Sequence, residues 1–176
     1  MSPRMMSSRL RKFVLTSHVT VSVGWLGAAA AYLSLAVVGI VSRDDDMARA
    51  AYRSMEPIGW AVIIPASLAT LISGVVQAFG TEWGLFRHYW IVAKLVLTTV
   101  ATGVLLMHIP NVSRMARIAV ATTLSTGDFR LLRIQLVVHA VGGLLVLLTV
   151  TALSVYKPWG RIRSARAQTP REMSAT

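Results

Sequence analysis

Lys94 and His108 lie in "WIVAKLVLTTVATGVLLMH", Trp90 to His108, a stretch otherwise apolar enough to cross a membrane. A lysine at the middle of a span costs about 3 kcal/mol on insertion scales, so it persists where it snorkels to the interface or has chemistry to perform. His18 and His139 lie in two further apolar stretches. Neutral imidazole is a good ligand for haem iron, and a cationic side chain can pair with a carboxylate beside it. His18, His108 and His139 are therefore candidate iron ligands, and Lys94 is a candidate cofactor-binding or catalytic group. His88, between Arg87 and Tyr89, reads instead as an interfacial residue.

These side chains need helices to hold them. Of the 176 residues 55% are apolar and 14% charged, too apolar a balance for a soluble domain of this size. The apolar residues fall in four blocks, about 13–41, 57–79, 88–109 and 134–156. Each approaches or exceeds the roughly 20 residues that a helix needs to cross a hydrocarbon core about 30 Å thick. The sequence thus predicts an all-α, integral membrane four-helix bundle over 13–156. A basic segment, 1–12, precedes it, and a basic tail, 157–176, expected to be disordered, follows it. Arg4, Arg9, Arg11 and Lys12 before the first span, and Lys157, Arg161, Arg163, Arg166 and Arg171 after the last, place both termini in the cytoplasm. The net charge of +11 is thereby read as meeting anionic lipid headgroups, not nucleic acid.

With that topology the titratable groups fall in two layers. His18 and Lys94 form one near the cytoplasmic side; His108 and His139 form another near the outer side. Lys94, Thr98, Ala101, Leu105 and His108 step by four and three residues and share one helix face. His18, Ser22, Trp25, Ala29 and Tyr32 share another, and Gln135 and His139 a third. Two histidines on antiparallel helices can hold a b-type haem, either His108 with His139 or His18 with one of them. Its propionates would reach Arg114, Arg130 or Arg133 outside, or Arg11, Lys12 or Arg87 inside.

The connecting segments are read more coarsely. Asp44, Asp45 and Asp46 suit the start of a short outer helix through Tyr52. Pro65 should bend the second span and free a carbonyl, with Ser67, Thr70 and Ser73 nearby. Ser113–Leu124 reads as a basic interfacial helix, and Trp83, Tyr89 and Trp90 as an aromatic belt. Gly24 with Ala28, Gly27 with Ala31, and the pair Gly142–Gly143 have the spacing of close helix packing, within the bundle or in a homo-oligomer.

Several chemistries are excluded or weakly supported. With no cysteine there is no disulfide, thiol catalysis or iron–sulfur cluster. The spans hold no Asp or Glu, which argues against a carboxylate proton relay. Phosphate loops, nucleophile elbows and zinc-protease motifs are missing. The first apolar run is too long for a signal-peptide core. Copper has one pointer, the adjacent Met107 and His108.

"HVTVSVGWLG" (His18 to Gly27), "IPASLAT" (Ile64 to Thr70), "WIVAKLVL" (Trp90 to Leu97), "GDFRLLR" (Gly127 to Arg133) and "SVYKPWG" (Ser154 to Gly160) together resemble a family of bacterial four-helix membrane proteins. That group includes the membrane-bound haem-containing protoporphyrinogen oxidases and the copper-resistance D proteins. Within it the chain most resembles an uncharacterised actinobacterial integral membrane family, over roughly residues 10–160. The resemblance implies a multi-pass protein of the bacterial plasma membrane, b haem, and roles for His18 and Lys94 in activity. Where the oxidases carry Asn-Glu after the Phe-Arg segment, this chain has Arg133 and Ile134, and His139 stands inside helix four where they use other residues. The expectation is therefore a retained haem site in a redox or haem-related role, with an electron partner that the sequence does not name, and not porphyrinogen oxidation itself. A non-enzymatic membrane scaffold, subunit or transport component is the alternative, and a copper-handling protein a third.

Overall fold

The computed structural model describes residues 6–80, 89–121 and 129–156. Trp83, Arg87, His88, residues 122–124 and the basic tail 157–176 lie outside the described residues. Those described form α1 (Ser8–Val41), α2 (Asp45–Ile58), a π-helical turn (Gly59–Ile63), α3 (Ile64–Gly80), α4 (Tyr89–Ala121) and α5 (Arg130–Tyr156), with no strand among them. Because α2, the π turn and α3 run on as one rod, there are four helices long and apolar enough to span a membrane. This is a multi-pass architecture.

The rods run up, down, up and down. The α1 rod packs on α2, α3 and α5, and α4 packs on the same three helices from the opposite side. Sequential neighbours thus close a ring, the expected result of short connections between antiparallel helices. The end that holds Ser8, Gly80, Tyr89 and Tyr156 is called here the terminal end; the opposite end is the distal one. At 1.5 Å per residue the 34 residues of α1 extend about 51 Å, well beyond a hydrocarbon core.

The excess length is used at the distal end. There Asp44 caps α2, its carboxylate accepting from the Asp46 N–H at 2.9 Å, and Asp45 and Asp46 complement the helix dipole. The outer helix is longer than the sequence implies, continuing past Tyr52 into the span. Its inward face, Ala48, Ala51, Tyr52 and Met55, is buried against Val112, Met115, Ala116 and Ala119 of α4, with Leu136 of α5 close by. Residues 113–121 accordingly do not form a separate interfacial helix. They continue α4 straight through Pro110, because burial of this second apolar face outweighs the one hydrogen bond that the proline removes.

Two prolines shape the long rod. Pro57 and Pro65 bracket the π turn, in which the Ile64 N–H reaches back five residues to the Gly59 carbonyl. Pro65 has no N–H to offer the carbonyl four residues before it, so the ladder widens by one residue instead of breaking. Ser67, fully buried, donates to the Ile64 carbonyl at 2.8 Å, and not to the carbonyl of Ala61 four residues before the proline.

Close backbone approach occurs at glycines other than the expected ones. A Cβ at Gly24, Gly27, Gly142 or Gly143 would meet nothing within 4 Å, so these are not contacts between helices of the bundle. At Gly39, by contrast, a Cβ would lie 2.5 Å from Cζ of Tyr52, a fully buried ring that lies across the glycine. Gly39→Val should therefore lower stability by about 2 kcal/mol through overpacking. Gly24→Val, at an open position, should leave the thermal midpoint in detergent within a degree or two, and the pair of melting curves checks both.

Candidate functional site

Polar side chains recur along the bundle interior in the two expected layers. Nearest the terminal end, His18 on α1 meets α3. Its Nδ1 lies 2.9 Å from Ser73 Oγ, and a Cβ at Gly74 would sit 3.3 Å from His18 Cε1. Ser73 in turn donates its single hydroxyl proton to the Ala69 carbonyl at 2.6 Å. When the hydroxyl proton serves that carbonyl, or the Thr70 carbonyl at 3.2 Å, the serine oxygen accepts from His18 Nδ1. In that arrangement Nε2 keeps its lone pair, the state in which an imidazole binds a metal.

Lys94 approaches the same layer from α4, near enough to act electrostatically on His18. Its Nζ donates to Ser154 Oγ of α5 at 3.1 Å and lies 4.7 Å from the centre of the Trp90 ring. These contacts supply donors and a π face to a cation within the span. His18 and Lys94 thus share one layer, with Ser73 and Ser154 behind them. Nothing in the sequence singled out Ser154; its clue is a hydroxyl two residues before Tyr156, where α5 returns to the level at which α4 begins.

Toward the distal end, His108 on α4 and His139 on α5 meet face to face, with ring centres 4.1 Å apart and planes within 8° of parallel. His139 Nδ1 donates to the Gln135 carbonyl at 2.8 Å, the i−4 position of its own helix. His108 is 5% exposed, and neither of its nitrogens has a hydrogen-bond partner among the described residues. Two imidazoles that clamp one iron must approach it nitrogen first, from opposite sides. A face-to-face stack leaves no plane for a porphyrin between them, so His108 and His139 are together but not arranged as an axial pair. His18 is not brought to either. Lys94 and His108 are fourteen residues apart on one helix, about 21 Å along its axis, so an iron held by His18 is out of reach of both distal histidines.

The expected copper pair separates as well. Met107 is 81% exposed on the outer face of the bundle while His108 is buried inside it. Among the described residues no three His, Asp or Glu side chains converge as a metal cage. Of the arginines expected near a distal haem, Arg133 lies over the buried Tyr52 ring, 5.5 Å from its centre. Beyond it, a groove of about 320 Å³ opens between α2 and α4, lined by Arg53, Glu56 and Arg117.

Compared with family models, with curated proteins and with solved structures, the chain matches none of them.

The distal stack gives a direct test of what its nitrogens do. His108→Phe keeps a planar ring against His139 and removes two unpaired buried nitrogens, whose desolvation costs about 1–3 kcal/mol. Thermal stability of the purified protein should be unchanged or higher. A fall of several degrees would mean that those nitrogens hold a partner in the membrane.

Proposed function

We propose that this multi-pass membrane protein binds one b-type haem in the terminal-end layer of its bundle, with His18 as the imidazole ligand, and acts in a redox or haem-related role. The observation that carries the reading is the hydrogen-bond chain from His18 Nδ1 to Ser73 Oγ and on to the Ala69 carbonyl. It orients the ring, and it supports a tautomer with the proton on Nδ1 and Nε2 as a Lewis base inside an apolar bundle. A metal-ligating histidine almost always donates its other ring N–H to a partner of this kind. When bound, haem would supply one-electron chemistry at an iron whose potential is set by its axial ligand and surroundings.

The chain's own contribution would be to hold, orient and exclude. Ser73 and Gly74 keep the His18 ring against α3, the serine by its bond and the glycine by leaving room for the ring. Lys94, held by Ser154 and Trp90, would place an ammonium beside a haem propionate. The resemblance of "HVTVSVGWLG" and "WIVAKLVL" to the haem-containing membrane oxidase group supports giving the site to these two residues. We also assign the terminal end to the cytoplasm, because Arg9, Arg11, Lys12, Arg87 and the basic tail give it the larger share of positive charge.

The purified protein should show a b-type Soret band and an approximately stoichiometric pyridine haemochrome. His18→Ala should abolish the band, His108→Phe should keep it, and Lys94→Met should weaken haem retention without removing the ligand. A folded, haem-free protein from cells supplied with haem would overturn the proposal in favour of a cofactor-free scaffold. Loss of the band in His108→Phe but not in His18→Ala would move the site to the distal layer.

A further inference from the structure

Two side chains mark where the distal end leaves the hydrocarbon. Trp60, 56% exposed, donates from Nε1 to Ser113 Oγ of α4 at 3.4 Å. Exposed tryptophan concentrates where hydrocarbon meets headgroups, because its ring is apolar and its N–H needs a partner. The charges agree with that level. The chain has no Asp, Glu, Lys or Arg between Glu56 and Glu82 or between Lys94 and Arg114.

Beyond that level charge begins at once. Along the helix axes Glu56 lies about 6 Å and Arg53 about 10 Å outward from Trp60, and Arg117 about 6 Å outward from Ser113. Headgroups extend roughly 5–8 Å outward from the hydrocarbon on each side. These three side chains therefore stand at headgroup depth or just above it, in the leaflet at the distal end.

They also share one cavity. In the groove of about 320 Å³ between α2 and α4, Arg53 and Arg117 are the cations, Glu56 is the carboxylate, and Ala116 and Val120 form the apolar wall. Such a volume is at the small end of ligand sites, the size for a compact polar group. Among the described residues no ion pair within 4 Å joins either arginine to Glu56 or to another carboxylate. Two like charges are thus held on one groove without a counter-ion, and with the single carboxylate they leave it a net charge of +1.

We propose that this groove binds the headgroup of an anionic glycerophospholipid of the distal leaflet, its phosphodiester between Arg53 and Arg117 and a headgroup hydroxyl donating to Glu56. Guanidinium forks match the geometry of phosphate oxygens, and one phosphodiester carries the single negative charge that the groove lacks. A glycerol headgroup offers Glu56 a donor, whereas a choline headgroup has none. The acyl chains would pass Trp60, whose exposed ring lies on the hydrocarbon side of the groove. This site is at the opposite end of the bundle from the proposed haem and stands without it.

The test is native mass spectrometry of the full chain in detergent, titrated with dioleoyl phosphatidylglycerol, dioleoyl phosphatidylcholine or soluble glycerol 3-phosphate. One phosphatidylglycerol should bind at least about tenfold more tightly than phosphatidylcholine, and Arg53→Gln with Arg117→Gln should remove that preference. Arg43→Gln with Arg114→Gln takes the same charge from the same end outside the groove and should keep it. Equal loss in both pairs, or equal binding of the two lipids, would reduce the effect to general surface charge and overturn the site. Glycerol 3-phosphate binding as tightly as phosphatidylglycerol would overturn the lipid as occupant in favour of a soluble phosphate ester. Should the glutamine pair fold poorly, Arg53→Lys with Arg117→Lys keeps the charge and loses the fork. The preference should then fall several-fold, and an unchanged preference would overturn the two-armed hold on the phosphate.

Discussion

The structure depends on one constraint: inside a bilayer a polar side chain has no solvent to fall back on, so its partner must come from another helix or from its own backbone. Lys94 shows the cross-helix solution, with a hydroxyl from α5 and an aromatic ring one turn back on α4. His18 shows the same solution in a two-step form, through a serine that is itself tied to the α3 backbone. Each such bond joins two rods, so the polar layer also sets how the terminal halves of the helices face one another. Buried Ala78 and Ile91 add apolar packing at that end.

The distal end solves the opposite problem. Its helices outrun the hydrocarbon and carry charge outward, so an ordinary hydrophobic interface can hold them. Tyr52, Met55, Val112, Met115 and Leu136 are almost wholly inaccessible, the burial expected of a small soluble core. The continuous apolar core thus lies toward the distal end, while cross-helix hydrogen bonds join the rods at the terminal one. The proposed haem would accordingly exchange polar contacts at the terminal end, at less cost than opening a packed core.

Much of this was legible in the sequence. The four rods, their up-and-down order and the two polar layers follow from span length and from the spacing of Lys94 with His108 and His18 with Trp25. What escaped the reading has specific causes. The sequence pattern ends the third block near residue 109 and sets Ser113–Leu124 apart as an interfacial helix, but the apolar positions Val112, Met115 and Ala119 pack on α2, a tertiary contact that local rules do not register. Pro65 pointed to a bend, yet the chain resolved it as a π turn, which depends on how the adjacent carbonyls are served. The glycine pairs of α1 and α5 have packing spacing, but spacing does not say which face turns inward; Gly39 against Tyr52 and Gly74 against His18 hold close contacts instead. The geometry of the histidines was the least accessible. A stack and an axial pair need the same residues at the same depth and differ only in side-chain rotation.

The claim on which the functional account turns is that the fold presets His18 with its proton on Nδ1 and its lone pair on Nε2, before any cofactor binds. Nitrogen NMR of the cofactor-free protein, with ¹⁵N-labelled histidine and the His18 signals assigned by comparison with His18→Gln, reads this directly. The account predicts a protonated Nδ1 and a bare Nε2, with the preference lost in Ser73→Ala. A ring with its proton on Nε2, unmoved by removal of the serine hydroxyl, would contradict it.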